Sequence, residues 1–66
     1  MYDYSKLKGR IVEVCGTQTA FAKELGITKG TLSEKMRNKK AFKQSEIYKA
    51  KEILKLDDIT PYFFNK

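Results

Sequence analysis

Lys29, Lys35, Arg37, Lys39, Lys40 and Lys43 lie between residues 28 and 43 with Glu34 as the one carboxylate, so this stretch carries +5 of a formal +6. Charge this concentrated is a footprint for a polyanion, because ammonium and guanidinium groups pair with phosphate oxygens and release counterions. Covalent chemistry has no comparable cluster. Histidine is absent and Cys15 is the single cysteine, which removes a nucleophile and base pair, a disulfide framework and the usual zinc spacings. There is no glycine-rich phosphate loop, and carboxylates such as Glu13 and Glu24 are scattered at helix-surface positions. The chain is therefore expected to be no enzyme, with no catalytic residue, metal site, cofactor or small-molecule ligand. Cys15 is expected to pack as a small hydrophobe rather than to act as a reactive thiol.

The elements that carry these cations must be few. At 66 residues the chain is expected to be one domain spanning residues 1–66, and a domain of that size buries only about 60% of the surface its unfolded chain exposes. Apolar runs reach only two or three residues, and the start Met1-Tyr2-Asp3-Tyr4-Ser5 has neither the basic opening nor the apolar centre of an export signal. A soluble cytoplasmic protein with no membrane partner is expected. No repeat, low-complexity segment or linker marks a second domain.

Hydrophobic spacing predicts helices throughout. Tyr4, Leu7, Ile11 and Val14 recur at intervals of three and four, giving a helix from about Ser5 to Cys15 with Asp3 or Ser5 as N-cap and Gly16 as its end. Thr17 caps a second helix whose Phe21, Ala22 and Leu25 share a face, and Gly26 supplies the left-handed residue that turns the chain. Ile27 fills the corner. Thr28 caps a third helix running to about Arg37, with Leu32 and Met36 inward, and Asn38 stops it. Phe42 anchors the basic loop at 38–43 to the core. Ile47, Ala50, Ile53 and Leu54 predict a fourth helix from about Ser45 to Leu54, whose Lys49, Lys51 and Lys55 are offset by Glu46, Glu52, Asp57 and Asp58. Thr60 followed by Pro61 reads as N-cap and first residue of a short final turn bearing Tyr62, Phe63 and Phe64. The expected fold is all-α, a compact bundle of four to five short helices with a helix-turn-helix at the second and third.

Gln18, Phe21, Ala22, Leu25, Gly26, Ile27, Thr28, Leu32 and Ser33 together resemble the lambda-repressor-like, Cro/repressor class of helix-turn-helix proteins. The match covers about residues 17–56, and the first helix and the Tyr-Phe-Phe end resemble small lysogeny-switch regulators of bacteriophages. Two positions depart from the class. Its next apolar residue falls three places after Leu32, where this chain has Lys35 and then Met36, and Gly30 sits in the first turn of the third helix at a cost of roughly 1 kcal/mol relative to alanine. Gly30 either lets the backbone approach DNA closely or occupies a tolerant helix start.

The resemblance implies that the third helix enters the major groove. With Leu32 and Met36 inward, Gly30, Ser33, Glu34 and Arg37 turn outward, and Thr28 and Lys29 project from the leading end. These six are the base-reading candidates: Lys29 suits guanine, Glu34 suits cytosine or a solvated salt bridge, and Ser33 suits either. Gln18 is implied to bond a backbone phosphate with help from Thr17, and Asn38, Lys39, Lys40 and Lys43 are placed along the flanking phosphates.

Double-stranded operator DNA bound by a homodimer is thus the leading reading, that of a Cro-like transcriptional regulator. Its rival is a protein-binding modulator or antirepressor that keeps the helix-turn-helix fold and grips a phage repressor. Tyr62 and Phe64 are the candidates for self-association or partner contact, with Phe63 expected mainly in the core and Phe64 at least partly exposed.

Overall fold

The computed structural model describes all 66 residues and contains five helices and no strand. They are α1 (Ser5–Cys15), α2 (Gln18–Leu25), α3 (Lys29–Met36), α4 (Gln44–Ile53) and α5 (Thr60–Phe63). The fold class is all-α, as the hydrophobic spacing predicts. None of the helices is long and apolar enough to cross a membrane.

Threonine caps start the central pair. Thr17 accepts the Ala20 N–H and Thr28 accepts the Thr31 N–H, both at 3.1 Å. Three helices then end by one geometry. The N–H just after a left-handed residue reaches back five positions, Ile27 to Ala22 O, Lys39 to Glu34 O and Leu56 to Lys51 O. That residue is Gly26 (φ 80°), Asn38 (φ 63°) and Lys55 (φ 53°) respectively. Glycine and asparagine tolerate this angle, whereas a lysine there costs roughly 1 kcal/mol. The Lys55 turn drives Leu56 into the core, and Arg10 of α1 donates to the Leu54 carbonyl at 3.0 Å from across the core.

α2 is the hub, packed on α1, α3 and α4, while α1 also meets α5. Its Phe21, Ala22 and Leu25 are buried with Leu7 and Ile11 of α1, Leu32 of α3, Ile47 and Ala50 of α4, and Phe63 of α5. Boundaries differ slightly from expectation. Tyr4, not Asp3 or Ser5, holds the N-cap position of α1, and the Asp3 carboxylate instead accepts both the N–H and the hydroxyl of Ser5. α4 starts at Gln44, and Ile59 rather than Thr60 precedes α5, with Asp58 accepting the Thr60 N–H.

The larger correction concerns the inner side of α3. Lys35 is 4% exposed and pairs with Glu46, 8% exposed, at 2.5 Å, while Met36 is only half-buried. Residues three apart face the same way on a helix, so Leu32 selects position 35 as well as 36, and a buried partner makes the lysine acceptable there. Glu46 accordingly offsets none of the α4 lysines. Its Oε1 also accepts the Lys43 N–H at 2.8 Å, and Lys35 reaches the Ala41 carbonyl at 3.4 Å. Burial alone would raise the Glu46 carboxyl; the Lys35 ammonium and the Lys43 N–H outweigh it and hold the group below its ordinary value.

Removing one member strands the other in the core, so Lys35→Ala or Glu46→Ala is expected to cost about 3 kcal/mol or more, whereas the double change Lys35→Met with Glu46→Leu is expected to cost far less. Chemical denaturation of the three variants checks this. Because the folded Glu46 value is lowered, its contribution is fully present above the ordinary glutamate value of 4.5 and is lost as pH falls through the folded value. Melting temperature followed from pH 7 downward should therefore drop in acid, and by less in Glu46→Gln. Asp3 and Asp58, lowered by their bonds to Ser5 and Thr60, leave a residual acid slope in that variant.

Candidate functional site

The residues before α1 form a strap held at both edges. Asn38 accepts the Tyr2 N–H and donates to the Tyr2 carbonyl, both at 2.9 Å, and the Asp3 N–H donates to the Asn65 carbonyl at 2.6 Å. This stitches the chain start to the loop after α3 and to the tail after α5. Five aromatic rings then run in sequence. Phe63, Phe42, Tyr4, Tyr2 and Phe64 have successive centroid separations of 5.1, 5.4, 6.1 and 5.8 Å, mostly edge to face.

These rings line an open groove of about 490 Å³ with Met1, Ile47 and the basic residues Lys39 and Lys40. No carboxylate lines it. Met1 and Phe64 are exposed, Phe64 by 46% against 2% for Phe63, so the groove offers apolar surface that the small core leaves uncovered. The adjacent members of the tail part as expected. Tyr62, however, does not join Phe64: it is half-buried beneath the Lys6 ammonium, 5.5 Å from the ring centre.

The structure distributes the twelve DNA-contact candidates differently from a single surface. Asn38 spends its amide on Tyr2, and the hydroxyls of Thr17 and Thr28 are spent as helix caps. Lys40 pairs with Glu34 at 3.5 Å, which supplies the solvated salt bridge open to Glu34. Lys39 and Lys40 rim the aromatic groove. Lys29, Gly30, Arg37 and Lys43 are exposed, and Gln18 and Ser33 are half-buried. A side chain at Gly30 would meet nothing closer than the Thr28 hydroxyl at 3.9 Å, so no internal packing requires glycine there. Cys15 is half-buried, its thiol donates to Glu24 at 3.3 Å, and burial followed by that acidic neighbour pushes it up to about 11. It stays a protonated thiol.

The groove was missed in the sequence because its walls are brought together from positions 1–4, 38–42 and 63–64. The signal that could have found it was the count of aromatics at both chain ends in a domain too small to bury them all.

All 66 residues match the family described as "Protein of unknown function (DUF739)". The chain belongs to the DUF739 family. No curated protein matches it. Among solved structures, this DUF739 chain is similar to the modulator of repression of the temperate bacteriophage TP901-1 from Lactococcus lactis, determined in solution. The two are 48% identical over 97% of this chain and 89% of that one, with a TM-score of 0.82. The helix-turn-helix resemblance to the Cro/repressor class rests on its nine residues alone.

Phe63→Ala is expected to cost about 3 kcal/mol or more, and Phe64→Ala about 1 kcal/mol or less, since only the first ring is fully packed. Thermal melts of both variants decide it, and equal losses would mean that Phe64 is structural.

Proposed function

We propose that this DUF739 protein is a modulator of repression that binds a repressor protein, in the cytoplasm of a bacterium carrying the phage that encodes it. The observation that carries the reading is 48% identity over nearly the whole chain to a protein so described. It reverses the order of the two readings drawn from the sequence. The aromatic groove is the surface best suited to the work. Tyr2, Phe42 and Phe64 offer rings whose desolvation drives association, while Lys39, the groove cation without an ion-pair partner, selects an acidic partner over a basic one. The activity proposed is binding, without catalysis.

A repressor with its operator DNA in a gel shift, titrated with this protein, is the direct test. The TP901-1 repressor serves as probe. The expected outcome is that operator occupancy changes as the protein reaches stoichiometry with repressor, and that Phe64→Ala weakens the effect while remaining folded. An unchanged shift at excess protein, with no co-elution of the two proteins, would count against the reading.

Operator binding through α3 by a homodimer is the second reading, and the exposure of Lys29 and Arg37 without ion-pair partners favours it. Four free cations per subunit, Lys29, Arg37, Lys39 and Lys43, predict a log–log salt slope of about −7 for a dimer on DNA alone. A slope near zero in fluorescence anisotropy would exclude it.

A further inference from the structure

The strap before α1 has the aromatic groove on one side and, on the other, a polar notch of about 400 Å³ walled by Lys8, Gln18, Ser33 and Arg37; Tyr2 and Tyr4 line both. Its first residues lie in no helix or strand. Tyr2 is half-buried, and its ring joins Tyr4 to Phe64 in the aromatic series. Where that ring stands follows from the Tyr2 backbone, which Asn38 grips at two points. The amide oxygen accepts the Tyr2 N–H and the amide nitrogen donates to the Tyr2 carbonyl, each at 2.9 Å. The backbone ahead of Tyr4 has one further tie, from the Asp3 N–H to the Asn65 carbonyl.

The turn at residue 38 does not itself call for asparagine. Its φ of 63° is an angle that glycine adopts freely, and the equivalent turns after α2 and α4 are made by Gly26 and Lys55. What asparagine adds is the amide. With an acceptor oxygen and a donor nitrogen it closes a paired bond on the N–H and C=O of one residue, as a neighbouring strand would. We propose that Asn38 is the positioning residue of the aromatic groove: it holds the Tyr2 backbone so that the ring stands as the groove's wall before a partner arrives. This role rests on the repressor-binding reading and deepens it. A partner that meets the wall in place loses none of its binding free energy to ordering the strap. With the clamp cut, only a fraction of molecules carries the wall in place, and the apparent dissociation constant rises by the inverse of that fraction. The loss then falls on association rather than on dissociation. Phe63 is held in the core and Phe42 packs against it, so both keep their places without the clamp.

Biolayer interferometry of the full-length protein on immobilised TP901-1 repressor tests this, with Asn38→Gly as the variant. Glycine suits the left-handed angle, so the variant should fold and melt close to the wild type. Loss of both bonds is expected to raise the dissociation constant about ten-fold, chiefly through slower association, and to speed hydrogen exchange at the Tyr2 N–H. Lys55→Gly, the same change at a left-handed turn that does not line the groove, should leave binding as it is. A double-mutant cycle with Tyr2→Ala separates positioning from direct contact: once the ring is gone, Asn38→Gly should add little further loss. If Asn38→Gly is unstable, Asn38→Asp, which keeps the acceptor for the Tyr2 N–H and loses the donor, carries the same cycle. Additive losses, or an unchanged association rate in the clamp variant, would overturn the proposal while repressor binding stands. A wild type that does not bind repressor would overturn the repressor reading and this role with it.

Discussion

The buried ion pair between Lys35 and Glu46 holds together the part of the molecule on which its surfaces depend. Its energy as a pair is modest, because two charges taken from water recover little more than their desolvation. Its geometry matters more. The ammonium touches the Glu46 carboxylate and the Ala41 carbonyl and lies 5.9 Å from the centre of the Phe42 ring, while the carboxylate takes the Lys43 N–H. The loop from 38 to 43 is thus tied at both ends of its second half, and Phe42 is delivered between Tyr4 and Phe63. Without that ring in place Phe63 is cut off from Tyr4, Tyr2 and Phe64 in the aromatic series. An apolar pair of the same volume would keep α3 and α4 together but would leave the Ala41 carbonyl and the Lys43 N–H without these partners.

The same pair changes the meaning of the basic cluster. Six cations within residues 28–43 look alike in a sequence, where each counts as one unit of surface charge. In the fold Lys35 is internal and neutralised, and Lys40 is matched by Glu34. Lys39 faces the aromatic groove. What remains unpaired and exposed on or beside α3 is Lys29 and Arg37. Lys39, the unpaired lysine at the groove, instead gives an apolar surface a sign. This redistribution lets one short chain present two kinds of surface, and it agrees with the similarity to a modulator of repression.

Local features were legible from the sequence, and long-range ones were not. Thr17, Thr28, Gly16 and Gly26 announce helix ends because their reasons are local: a hydroxyl three residues from an unpaired N–H, or a backbone angle other residues resist. Periodicity and helix caps found the first four helices within a residue or so, and the Thr60–Pro61 pair marked the fifth. The burial of Phe63 against the exposure of Phe64 followed from the turn of a helix. Lys35 failed because spacing alone allows either position 35 or 36 to face inward, and charge argued for the wrong one. The deciding fact was Glu46, eleven residues away on another helix. Asn38 was legible as a helix stop but not as a clamp, since its partner Tyr2 is 36 residues distant. The site therefore read as one basic face, although the fold divides it.

That division runs along the strap. Tyr2 and Tyr4 wall both the aromatic groove and the polar notch, and the strap between them has no helix or sheet of its own to keep it in place. Its position depends on the two Asn38 bonds, the Asp3 bond to Asn65 and the ring contacts of Tyr2 with Tyr4 and Phe64. Hydrogen bonds of this kind are worth about 1 kcal/mol each, so the strap is held by a few kcal/mol in total. A partner that takes up Phe64 or Tyr2 removes part of that sum and leaves the rest to hold the wall of the notch. The two surfaces are consequently joined through Tyr2, which the strap holds at the surface, and Tyr4, which belongs to the buried core.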